Sequence, residues 1–169
     1  MPAGGTYEPI ATNTLSSSQG TVTFASISAS YTDLVLITVA KLASGTSGMK
    51  LRFNSDSGAN YGNTYLYGSS SSQGSVSDSG TGTGVQFYYA AYIDSTNFAI
   101  TTTNIMNYSN STTHKPVISR DGSAKVSGTD LTISTWRNNS AINSIDILTG
   151  NANSFASGST FTLYGIKAA

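Results

Sequence analysis

The chain has 169 residues with eight basic and eight acidic side chains, no cysteine, one histidine and one tryptophan, enough for one domain with its own core. Zero net charge leaves no electrostatic footprint for a phosphate backbone, which argues against a nucleic-acid binder, and the lack of cysteine excludes disulfide frameworks and thiolate chemistry. Ser, Thr, Asn and Gly fill nearly half the chain and charged residues only 9%, against about 25% in an average domain, so hydroxyls and amides must keep the surface wet.

In chain order, the start Met1-Pro2-Ala3-Gly4-Gly5-Thr6-Tyr7-Glu8 has neither a basic n-region nor an apolar h-region, so no secretory signal is expected. Residues 1–5 read as a flexible arm and 6–169 as a single domain. No stretch of a dozen residues keeps helical apolar spacing, whereas short runs rich in Val, Ile, Thr, Tyr and Phe recur between Gly, Ser, Asn and Asp, which predicts an all-β chain. The first strands fall at 7–15 and at 21–24, where Val22 and Phe24 share a face. Residues 33–42 are apolar on both parities, the mark of a central strand covered on both sides. Its run Leu34-Val35-Leu36-Ile37 is far short of the roughly 20 apolar residues of a membrane span. Met49, Leu51 and Phe53 alternate with Lys50 and Arg52.

Residues 69–84 carry a single aliphatic side chain, Val76, and read as a long surface loop or a frayed hairpin. Strands are expected again at 85–93 and at 98–108, where Phe98, Ile100, Met106 and Tyr108 share one parity and Thr101, Thr103 and Asn107 the other. The last four fall at 117–120, 131–137, 142–148 and 160–167, separated by the turn signals Asp121-Gly122, Ser127-Gly128, Asn138-Asn139 and Gly150-Asn151. About nine to eleven short strands without crossover helices predict an antiparallel β-sandwich or barrel with negligible helix.

Candidate chemistry is sparse. Asn54-Ser55-Asp56-Ser57-Gly58 opens like a calcium loop, but Glu8 is the only glutamate and none closes the loop, so a turn is the better reading. The glycines of 79–84 lack the Lys of a phosphate-binding loop and read as a flexible loop tip. No Gly-x-Ser-x-Gly elbow occurs, and His114 lies in a polar turn without cysteine or acidic neighbours to complete a zinc site. The seven Asp are scattered, mostly in turn contexts such as Asp121-Gly122, rather than paired for glycoside hydrolysis. No catalytic residue, cofactor site or metal site is expected, and neither is an enzyme. The three Asn-x-Ser/Thr matches number no more than the about four that this composition yields by chance.

The tyrosines carry more. Tyr61, Tyr65 and Tyr67 sit in a Gly/Asn-rich stretch, and Tyr88, Tyr89 and Tyr92 put aromatics on both faces of the next strand. Tyr combines an apolar body with a polar tip and suits wet interfaces. Tyr61, Tyr65, Tyr67, Tyr88 and Tyr89 are therefore interface candidates, either as a subunit contact or as a sugar-stacking platform, with filling of the core as the competing role. Trp136 reads as core.

Four segments, in order, resemble small virion structural proteins of tailed bacteriophages, including phages of cyanobacteria. They are Tyr7-x-x-Ile10 leading to Thr14-Leu15; Val22-Thr23-Phe24-Ala25-Ser26-Ile27 with Tyr31-Thr32-Asp33-Leu34; Leu51-Arg52-Phe53-Asn54-Ser55-Asp56 with Asn60-Tyr61; and Gly158-Ser159-Thr160-Phe161-Thr162-Leu163-Tyr164-Gly165-Ile166-Lys167. The resemblance covers both ends and weakens between about residues 69 and 150. It implies a jelly-roll type of β-sandwich, no enzymatic activity and a place on the virion after synthesis in the host cytoplasm. The chain has no heptads or collagen-like repeat for a fibre shaft, so the expectation is a capsid decoration (cement) protein. Its partners would be the major capsid protein or other virion proteins and its own copies, with a trimer expected because lattices offer threefold positions. The alternative is a tail or receptor-binding module that meets host glycans. Neither reading involves nucleic acid or a membrane.

Overall fold

The structure, a computed structural model, describes residues 5–78, 80–87, 92–125 and 128–167. Among these residues the chain is all-β, with fourteen strands in antiparallel sheets and no helix. The larger sheet has eight strands, ordered β1 (Tyr7–Thr14), β14 (Thr160–Ile166), β3 (Asp33–Ala40), β10 (Ala99–Ile105), β11 (Lys115–Ser123), β12 (Gly128–Trp136), β6 (Tyr61–Gly68) and β7 (Gln73–Ser77). The smaller has four, β2 (Thr21–Phe24), β13 (Ile145–Thr149), β5 (Met49–Phe53) and β8 (Val85–Gln86), and β4 (Thr46–Ser47) pairs with β9 (Ile93–Asp94). The count exceeds the nine to eleven expected. β4, β8 and β9 are two residues long, too short to leave a period-two signature.

The two sheets share one core. In the smaller sheet the alternation predicted for β2 and β5 holds: Val22, Phe24, Met49, Leu51 and Phe53 are buried, and Ile145 and Ile147 of β13 pack among them. The larger sheet contributes Leu34, Leu36, Phe161, Leu163, Ile105, Val117 and Trp136. Phe53, Tyr61 and Trp136 form an aromatic cluster with ring centroids 5.6–6.4 Å apart, within the range of favourable edge and offset contacts. The chain ends meet where β14 inserts between β1 and β3.

Three expectations need correction. β3 is central, but it is covered on both sides only near its start: on its outward parity Val35 is buried, Ile37 half-buried and Val39 exposed. Asp121-Gly122 is no turn, because both residues lie inside β11, opposite Asp130 and Thr129; strand pairing on both sides overrides the local turn preference of the dipeptide. The stretch from 80 to 84 is no free loop tip either. Gly82 exchanges backbone hydrogen bonds with Tyr61, and a Cβ on it would lie 2.6 Å from Asn63 Nδ2. Upstream, β7 pairs with β6 as a solvent-exposed hairpin, its turn closed by the Ser69 N–H donating to Ser72 O at 2.7 Å.

Candidate functional site

The middle of the larger sheet reverses the usual arrangement of a half-buried sheet. At the middle of β10, β11 and β12 the inward positions include Thr101, Thr103, Ser119, Asp121, Asp130 and Thr132, each 4% exposed or less, between the apolar Ile105, Val117 and Trp136 towards one end of the strands and Ala99 at the other. The outward positions of the same strands and of β6 carry Ile100 at 52%, Ile133 at 48% and Leu66 at 49% exposure. Register sorts these outward residues into two groups: Val39 lies opposite Ile100 at one end, and Ile118 opposite Ile133 with Leu131 opposite Leu66 at the other, with Thr102 and Gly122 between them. Arg120, opposite Leu131, adds one cation to this face. Apolar side chains left half in solvent on one sheet face in this way make it a candidate contact surface.

The polar interior is satisfied unevenly. Asn63, 2% exposed, uses its whole amide: Nδ2 donates to Asp78 Oδ2 and to Gly84 O at 3.1 Å, and Oδ1 accepts from Ser134 Oγ at 2.7 Å and from Gln86 N at 3.2 Å. Thr103 and Ser119 share a hydrogen bond of 2.8 Å. Lys115 is fully buried at the start of β11. Its Nζ donates to the Thr113 and Asn139 carbonyls, and burial holds its pKa below the usual lysine value. By contrast, neither carboxylate oxygen of Asp121 has a partner in hydrogen-bonding geometry. Burial pushes its pKa up to about 7, the Thr101 hydroxyl pulling down and the Asp130 carboxylate pushing up.

The tyrosine candidates separate. Tyr61 and Tyr65, at 0% and 3% exposure, are core. The Tyr61 hydroxyl accepts from Phe53 N at 3.0 Å and donates to Asp56 O, and burial pushes its pKa upward. Tyr67 is half-buried against Gly74 of β7. Tyr88 and Tyr89 lie outside the described residues. The structure thus brings Tyr61 and Tyr65 to the interior rather than to a shared surface, because they occupy the inward parity of β6.

Other motifs fall in structural roles. Asn54 and Ser55 adopt the left-handed region, φ 51° and 55°. Asp56 accepts from Trp136 Nε1 at 2.7 Å, from Asn60 Nδ2 and from Gly58 N. Burial raises the Asp56 pKa, but these hydrogen bonds outweigh it and hold the carboxyl below its ordinary value. The candidate calcium loop is thus a turn that anchors the buried Trp136. His114 is exposed. Among the described residues no group of three or more His, Cys, Asp or Glu gathers, and no helix is long and apolar enough to cross a membrane.

Sequence reasoning missed the outward apolar face and the opposed Asp121 and Asp130. The available signal was the alternation of β11 and β12, where Ser119, Asp121, Asp130 and Thr132 keep to one parity and Ile118, Leu131 and Ile133 to the other. Compared with family models and with curated proteins, the chain matches none.

Proposed function

We propose that the chain is a non-enzymatic structural protein of a tailed-bacteriophage virion, a jelly-roll type of sandwich that decorates the outside of the capsid and reinforces it. The observation that carries this reading is the outward face of the larger sheet, where Ile100 and Val39 at one end and Ile133 and Leu66 at the other are exposed, with Arg120 on the same face. Such a face has little to do on an isolated domain, and covering it contributes about 25 cal/mol for each Å² removed from water. The resemblance of the terminal segments to virion proteins supplies the partner, the major capsid protein. Each copy would bridge neighbouring capsomers, in threefold groups of its own kind. Around the apolar centre, the uncharged hydroxyl and amide surface would form the hydrogen-bonded rim typical of protein interfaces.

The test is the copy number of the protein in purified particles, by gel densitometry against the major shell protein. A ratio near lattice stoichiometry is expected. A handful of copies would move the protein to the tail and turn the apolar face towards a tail partner, and absence from particles would overturn the virion reading.

A further inference from the structure

The register of the larger sheet gathers oxygen-bearing side chains beneath it in two adjacent rows, Thr101–Asp121–Asp130 and Thr103–Ser119–Thr132, running across β10, β11 and β12. Tyr67 and Tyr65 of β6 continue the two rows. Asp121 and Asp130 are directly opposite each other, at 4% and 2% exposure, and side chains so placed have Cβ atoms about 4.5–5.5 Å apart. Thr132 follows Asp130 on the same face and is the diagonal neighbour of Asp121. It is 1% exposed, and its hydroxyl oxygen has no hydrogen-bond partner.

We infer that Asp121 and Asp130, with the Thr132 hydroxyl beside them, form an interior site for one hard divalent cation of the calcium class. Two like charges face to face, withdrawn from water, demand a counter-charge. The nearby cations of the chain are turned elsewhere. Arg120 lies on the outward face, Lys115 Nζ is held by the Thr113 and Asn139 carbonyls, and Lys125 Nζ donates to Thr46 Oγ1. One proton would leave the pair with a net negative charge, whereas one divalent ion neutralises both carboxylates. The atoms on offer suit a hard ion: carboxylate and hydroxyl oxygens, with no nitrogen or sulfur among them. Calcium takes about 6–8 oxygen ligands in flexible geometry and accepts water for those the protein lacks. Asp121 and Thr132 are the clearest ligands, because their oxygens have no other hydrogen-bond partner, in contrast to the fully engaged amide of Asn63 on the same inward face. This site is independent of the virion reading.

The experiment titrates calcium chloride into the full chain after removal of metals with a chelator, followed by calorimetry and by thermal melting. Expected are one binding event per chain and a melting temperature raised by about 5–10 °C at about a hundredfold excess over Kd, both lost in Asp121→Asn. If that variant fails to fold, Thr132→Val, which keeps the side-chain shape and removes one ligand, is expected to fold and to bind calcium several-fold more weakly. The inference is overturned if calcium produces neither heat nor a melting shift. It is equally overturned if Asp121→Asn or Thr132→Val binds calcium like the parent chain, which would place the ion elsewhere.

Discussion

The four-stranded sheet and the middle of the eight-stranded sheet solve the same problem in opposite ways. In the smaller sheet every inward side chain of β2, β5 and β8 is apolar, and Thr21, Thr23, Lys50 and Arg52 alternate with them on the other side. Midway along β10 to β12 the interior receives Thr, Ser and Asp, and on the other face Ile100 and Ile133 remain half in solvent. The smaller sheet obtains its stability by taking apolar area out of water. The larger one accepts a polar interior that must be hydrogen-bonded atom by atom. Departure from the local pattern on both faces of the same three strands is the kind of inconsistency that functional surfaces show.

The sharpest contrast is in truncation. Phe53→Ala, in the fully buried centre of the smaller sheet, is expected to cost about 3–5 kcal/mol, read as a lowered urea midpoint at unchanged slope. A loss below about 1 kcal/mol would mean that the apolar sheet is not the main source of stability.

Next comes pH. A folded-state pKa of about 7 for Asp121, against the ordinary 3.8, means that the native chain binds a proton more tightly than the unfolded one. That contribution is complete below the ordinary carboxylate range and is lost as pH rises through about 7. Stability should therefore increase by as much as about 4 kcal/mol from about pH 8 to about pH 4, and Asp121→Asn should flatten the curve. Asp56 and Asp94, whose pKa values lie below the ordinary one, act in the opposite sense, and only at the acid end. A profile that rises towards alkaline pH would contradict the burial of the Asp121 carboxyl.

Smaller effects probe the polar interior. Thr103→Val strands the Ser119 hydroxyl, its partner at 2.8 Å, and should cost about 1–3 kcal/mol. Adding Ser119→Ala should recover much of that loss, since removing both partners is far cheaper than orphaning one. In chemical denaturation, a double variant weaker than the single one would refute this pairing. Smallest of all, Ile133→Asp should change the stability of the free chain by no more than about 0.5 kcal/mol while weakening its retention on particles.

How much of this the sequence displays differs between the same two regions. Val22 and Phe24, and Met49, Leu51 and Phe53, declare both strand and inward face, because period-two alternation of apolar with polar residues admits one burial pattern. β10 is legible as a strand but not as to face. Phe98 and Ile100 stand on one parity and Thr101 and Thr103 on the other, and the choice is made by pairing with β3, whose Leu36 and Thr38 lie opposite Thr103 and Thr101. Asp121-Gly122 has the composition of a turn, and only its pairing with β10 and β12 keeps it extended. Asp121 and Asp130 are nine positions apart, and nothing local shows that they meet. Tyr61 and Tyr65 were legible as important but not as buried, since their neighbours Gly62, Asn63 and Thr64 give no apolar pattern to orient the strand.

The central claim is that the outward face of the larger sheet is covered in the assembled particle. The chain lacks cysteine, so single cysteines report cleanly. Ile133→Cys on that face and Thr21→Cys on the exposed side of the smaller sheet would each be labelled with a maleimide, free and on particles. The account predicts that both react in the free chain and that only the cysteine at position 133 is protected on the particle. Equal labelling of position 133 in the two states would contradict it.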